Sequence, residues 1–240
     1  MLFRSRVSTE LVLLLDADIR LRPGTVPALL EKLDNEQLDL VSLMAQLQMH
    51  GWWERMLIPA FIFFFKLLYP FHLANGRGRR VAAAAGGCIL VRTSALARCG
   101  AFASLKHALI DDCTLARRIK DAGGRTWLGL THSAISQRGY ARLTDIVDMV
   151  ARSAYPQLRY SPVLLGVCTI IMLAAFPLPL AAALALEPAG LLALALMILC
   201  YLPVLRYYKV SWLWGLLLPV AGLLFMAMTW ISAWRHFEKA

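Results

Sequence analysis

After Arg159 this 240-residue chain carries few charges: the next is Glu187, followed by Arg206, Lys209 and Arg235. The apolar intervals between them approach or exceed the length of about 20 residues that an α-helix needs to cross a bilayer. The pattern predicts three membrane helices near residues 162–186, 189–205 and 212–234. Pro177 and Pro179 interrupt the first, which leaves a re-entrant element open as an alternative to a straight crossing. By the positive-inside rule, Arg152 and Arg159 before the first helix, and Arg206 with Lys209 before the third, mark the cytoplasmic side. Three crossings would then leave Arg235 and Lys239 on the wrong face.

Most of the other charges lie before Arg159. The net charge of +10 comes without a recognisable nucleic-acid fold, so an anionic lipid surface explains it more simply than nucleic acid does. Cys88, Cys99, Cys113, Cys168 and Cys200 show no CxxC or metal-ligand spacing and read as reduced thiols. The five histidines form no metal cluster.

Within the first 150 residues, the run Leu11 to Leu15 ends abruptly in Asp16, Ala17 and Asp18. Five apolar residues read as a strand buried on both faces, in the middle of a parallel sheet. Two aspartates two residues apart would leave one face of its carboxyl end, where open α/β sheets bind ligands. Such a pair repels itself unless a hard cation such as Mg²⁺ or Mn²⁺ lies between the carboxylates, and a solvated turn is the plain alternative. The few residues before this strand are too short to cover it, so an amino-terminal half beyond Met1 is expected.

A helix bearing Val26, Leu29, Leu30 and Leu33 follows, then a strand over 38–47. Residues 52–74 are apolar and aromatic but hold Pro59, Lys66 and Pro70. A fourth crossing, a helix packed under the sheet and a helix lying in the membrane interface are all open, and the aromatic flanks favour the interface. The basic loop 75–80 suits a phosphate or lipid headgroup, or is simply solvated. Gly86 and Gly87 precede a short strand at 88–91 and let the backbone approach a ligand closely, or form a turn. Asp111 and Asp112 open a helix with Leu115 and Ile119 on its apolar face, where capping is the structural alternative to catalysis. A closing strand covers 125–130. Residues 151–161 form an amphipathic region leading into the membrane part, 162–240.

Taken in order, DAD at 16–18, AGGCILVR at 85–92, DDCTLARRIKDAG at 111–123 and QLRY at 157–160 resemble the family 2 glycosyltransferases. Within that family the arrangement looks most like the membrane-bound hopene-associated enzymes and, more distantly, ceramide glucosyltransferase. The resemblance implies an α/β fold, a partial GT-A (Rossmann-like) domain followed by a bundle of about three transmembrane helices. It implies that Asp18 binds Mg²⁺ or Mn²⁺, that Asp16 supports the metal or nucleotide, and that Asp112 is the general base, with Asp111 at the family's Glu position. Gly86 and Gly87 match the acceptor-side loop. Arg159 and Tyr160 match the diphosphate-binding end of the QxxRW motif, with Tyr in place of Trp and Pro156 at the Gln position.

The implied activity is inverting transfer from a nucleotide-sugar, a UDP-sugar by expectation, to a lipid acceptor, hopanoid-related by analogy. The implied place is a bacterial inner membrane, multi-pass, with the catalytic part on the cytoplasmic side. A non-catalytic membrane subunit is the competing reading. A transporter is disfavoured because the spans hold no buried ionic relay.

Overall fold

The computed structural model describes residues 9–78, 80–100 and 111–238. The chain divides into two compact units, one running up to Gln48 and resuming over Lys66–Gly139, the other made of Met49–Phe65 and the chain from Tyr140 onward. Residues 49–65 thus group with the chain from 140 onward.

The first unit is a mixed α/β layer. Its strands are β1 (Leu11–Leu15), β2 (Ile19–Leu21), β3 (Leu40–Gln46), β4 (Cys88–Arg92) and β5 (Thr126–Ser136), in the spatial order β1-β4-β3-β5-β2. β3 and β5 pair in parallel, whereas β4 is antiparallel to both β1 and β3, and β2 is antiparallel to β5. This corrects the sequence reading of β1. Among the described residues it is an end strand with one partner, and Leu13 and Leu15 are 36% and 43% exposed. A short apolar run looks the same whether one or both of its faces are covered, so hydropathy alone could not place it.

Alternation along the strands feeds two cores. Val41, Leu43, Cys88 and Leu90 pack with Leu29 and Leu33 of helix α1 (Thr25–Asn35). On the other face, Leu40, Ile89 and Val91 meet Ala95 and Leu96 of α4 (Thr93–Arg98) and Leu115, Ala116 and Ile119 of α5 (Asp111–Asp121). Gly123 ends α5 at φ +83°, a conformation that favours glycine.

The Asp-Ala-Asp turn joins β1 to β2, the two ends of the strand order. Four residue steps span at most about 14 Å. Five flat strands would hold their outer pair about 19 Å apart. The sheet must therefore curl, and β5 shows how: its first half pairs with β3, its register shifts opposite Met44 and Gln46, and its last three residues pair with β2. Curling brings the carboxyl ends of β1 and β5 and the start of β4 to one edge.

The second unit is helical. It contains most of α2 (Trp52–Leu68), then α6 (Leu143–Ala151), α7 (Ala154–Gln157), α8 (Pro162–Ala175), α9 (Pro177–Leu184), α10 (Pro188–Tyr207), a 3-10 turn at Trp212–Leu217 and α11 (Leu218–Phe237). Short α3 (Phe71–Ala74) returns to the first unit. Three segments are long and apolar enough to cross a membrane: Pro162–Leu184, Pro188–Tyr207 and Trp212–Phe237. They match the three expected segments closely. The prolines break the first where expected, at Phe176, and Pro177 opens α9.

The middle of α2 is buried within this unit. Phe63 packs on Tyr201, and Phe64 on Phe176 and Phe225, one partner from each membrane-length segment. Glu54, 1% exposed, holds the start of α2 by accepting hydrogen bonds from the backbone N–H groups of His50, Gly51 and Tyr140, each at 2.7 Å. Burial by itself raises its pKa, but these donors outweigh burial and leave the carboxyl below its ordinary value near 4.5. Its contribution is therefore complete above the ordinary carboxylate range and is lost as pH falls through the lowered native pKa. Glu54→Gln turns an N–H donor toward at least one of these backbone donors. It is expected to destabilise by about 3 kcal/mol and to remove part of the acid sensitivity, as read by unfolding in detergent at neutral and acid pH.

Candidate active site

The edge created by the curl gathers the residues that the sequence singled out in the first unit. Leu15 of β1 stands opposite Cys88 of β4, so the Asp16 turn and the Gly86-Gly87 loop are neighbours. The Asp16 N–H donates to the Gly87 carbonyl at 3.2 Å. From the other side, Asp112 reaches the same loop, its Oδ2 accepting from the Gly86 N–H at 2.9 Å while its Oδ1 accepts from Cys113 N–H at 2.7 Å. Two adjacent glycines thus link the aspartate turn to the start of α5.

Asp18 is fixed independently. The Ser136 hydroxyl at the end of β5 donates to its Oδ2 at 2.6 Å, and Gln137 N–H donates to its carbonyl at 2.7 Å. Asp16 is exposed and Asp18 half-buried. Two carboxylates on one short turn, one of them held rigidly, offer hard oxygen ligands that fit Mg²⁺ or Mn²⁺ when a substrate diphosphate completes the shell. Among the described residues no group of three or more His, Cys, Asp and Glu could hold a metal.

Gly86 and Gly87 do not need left-handed backbone. A Cβ at Gly86 would meet Asp112 Oδ2 at 3.5 Å, an ordinary van der Waals contact, so the carboxylate lies directly beside this backbone. The loop is also clamped from behind. The buried hydroxyl of Ser42 accepts from the Ala85 N–H at 2.7 Å and donates to the Ala85 carbonyl at 3.0 Å. Cys113 is no competing nucleophile: burial first, then the neighbouring Asp112 charge, pushes its thiol up to about 12. Burial pushes Cys88 up to about 11, and the five cysteines are all free thiols.

The model of glycosyl transferase family 21 matches residues 4–237. The chain belongs to this family. No curated protein matches it. The resemblance drawn above to family 2 and to its hopene-associated members is thereby reduced to its shared part, a glycosyltransferase, which the match to family 21 supports.

The other expected site residues fall differently. The backbone of Asp111 opens α5, and its side chain lies outside the described residues. Arg159 and Tyr160 belong to the second unit, where both take left-handed backbone, φ 52° and 55°. Tyr155 Oη donates to the Tyr160 carbonyl at 2.8 Å, and the Tyr160 ring stacks on His236 at 4.5 Å. Ser42 and Ser136 were invisible in the sequence, because the groups they hold lie 43 and 118 residues away.

Proposed function

We propose that this family 21 protein is an inverting, metal-dependent glycosyltransferase of GT-A type that moves a sugar from a UDP-sugar to the hydroxyl of a lipid in the membrane that anchors it. The carrying observation is the Gly86-Gly87 loop, hydrogen-bonded to Asp16 on one side and to Asp112 on the other. It supports the reading because the Asp16 backbone and the Asp112 carboxylate both meet this one turn, with Asp16 and Asp18 proposed for the metal diphosphate and Asp112 for the base. Asp112 takes the proton of the acceptor hydroxyl as the acceptor oxygen bonds to the anomeric carbon. The bond from that carbon to the diphosphate oxygen breaks, and its electron pair leaves with the diphosphate. Asp16 and Asp18 would hold a divalent cation, which would neutralise the charge on the leaving diphosphate.

The three membrane-length segments support a lipid acceptor in this reading, because a unit tethered to a bilayer meets acceptors confined to two dimensions. The proposed setting is the cytoplasmic face of a bacterial inner membrane. The test is transfer from radiolabelled UDP-sugars by the full chain in nanodiscs, with a hopanoid alcohol and a ceramide among the acceptors. Transfer abolished by EDTA and restored by Mn²⁺ or Mg²⁺ is the expected result. Transfer indifferent to EDTA overturns the metal assignment. No transfer across the panel, beside an active family 21 control, favours a non-catalytic membrane subunit.

A further inference from the structure

We infer that one end of the α8/α11 pair, with α6 and α7, forms a collar that seats in a lipid headgroup layer, placing the carboxyl end of the chain on the same membrane face as residues 140–161. The inference is independent of donor and acceptor chemistry. It starts from the direction of two helices. Leu165 clusters with Ala233, Trp230 Nε1 donates to Thr169 Oγ1 at 3.0 Å, and Gly222 lies under the Phe176 ring. Residue numbers rise along α8 as they fall along α11, so the two run antiparallel. Three simple alternating crossings would make the first and third segments parallel.

The intervening chain shows how the sense is reversed. Gly190 of α10 lies against Ala182 and Ala183, so α10 turns back on α9. Gly215 then lies against Ile198, midway along α10, so the chain after Tyr207 doubles back beside the helix it has just left. α10 and the 3-10 turn therefore form a hairpin that enters and leaves by the far face, and α11 returns to the near one. Irregular backbone at membrane depth is tolerated where protein buries it, as Gly215 is buried here.

The near end has the composition of a membrane interface. Tyr160, Trp234 and Phe237 are 44%, 67% and 58% exposed, and Arg152, Arg159 and Arg235 stand exposed with them. Aromatic rings at headgroup depth with arginines reaching phosphates are what that layer accommodates. The collar is tied together from both sides. The Ser232 hydroxyl donates to the Ala151 carbonyl and accepts from Tyr155 N–H, Arg235 pairs with Asp148 at 2.8 Å, and His236 stacks on Tyr160. The arrangement also removes the conflict with the positive-inside rule, because Arg235 now shares a face with Arg152 and Arg159.

Ala141→Cys and Glu238→Cys, each in the full chain, test this with a membrane-impermeant maleimide on sealed vesicles of both orientations, after subtracting the label taken by the unsubstituted chain. Both positions are expected to label in the same vesicle orientation and to lose their label in the other. Reciprocal labelling, one position in each orientation, overturns the inference. An epitope fused after Ala240 gives a second reading by protease protection that needs no cysteine: cleavage in the orientation that labels Ala141→Cys supports the collar, and protection there overturns it.

Discussion

Asp112→Asn is expected to lower the rate of sugar transfer by about two to four orders of magnitude, the usual range for loss of a positioned general base, while the fold survives. The asymmetry follows from what each oxygen does. The amide keeps one carbonyl oxygen for either the Gly86 or the Cys113 N–H, and turns its NH₂ toward the other, losing about one hydrogen bond, or about 1 kcal/mol. It cannot take a proton from an acceptor hydroxyl. The measurement is transfer under saturating donor and acceptor, alongside thermal unfolding of the same preparation. Near-normal stability with transfer lost assigns Asp112 to the chemistry. Unchanged transfer overturns the base assignment and returns Asp112 to a purely structural tie between α5 and the glycine loop. Glu at the same position keeps the basic group but adds a methylene beside Gly86, so it should retain a small fraction of activity that Asn lacks.

How much of this could be read beforehand differs from residue to residue. The three membrane-length segments were legible because crossing a bilayer demands a long uncharged stretch, and few other structures do. The aspartate turn, the paired glycines and Asp112 could be picked out as candidates because each belongs to a local motif, and the sheet brings them to one edge. The position of β1 was not. Leu11 to Leu15 are equally apolar in a central or an end strand, and only the pairing Leu15 with Cys88 decides. Nor was the sense of α11, since hydropathy has no direction and the prolines at 177 and 179 mark a break without saying where the chain goes next.

The serines failed for a different reason. Ser42 reads as a minor flaw in an apolar strand, yet it is fully buried and its hydroxyl engages both backbone groups of Ala85. No local signal encodes a partner 43 residues away. Lys120 failed because a lysine in the last turn of a helix is normally explained by the helix dipole, and that explanation hides its place on the inward face with Cys113 and Ala116.

Lys120→Met should therefore produce the largest loss of stability among single substitutions of charged residues in the first unit. Lys120 is 3% exposed, and its ammonium donates to four carbonyls of one loop: Ala74 at 2.6 Å, Gly76 at 3.0 Å, Gly78 at 3.2 Å and Val81 at 2.9 Å. Three protons are thus shared among four acceptors, and the loop is wrapped around a cation. Burial, and then the nearby Arg117 charge, lowers the lysine pKa. The carbonyls oppose this, because only the ammonium can serve them all. Asn75 pins the same loop from its other side by pairing its amide with both backbone groups of Leu128. Methionine fills the volume and removes the charge, leaving inward-turned carbonyls without a donor, at a cost of about 3 to 5 kcal/mol. For a chain of this size that is a fall in melting temperature of roughly 10 °C.

Arginine should not rescue the loss, since a planar fork cannot meet carbonyls converging on one point. Hydrogen exchange separates local from global effects: amides of residues 74–81 should exchange faster in the variant under conditions where β3 and β4 remain protected. The loop continues through the buried Ala82, Ala83 and Ala84 to Gly86, so its loosening should also reach the site and lower transfer by more than the fraction unfolded. An unchanged melting temperature together with unchanged exchange over 74–81 would show that water replaces the ammonium without loss, and that the cage around Lys120 is incidental to the fold.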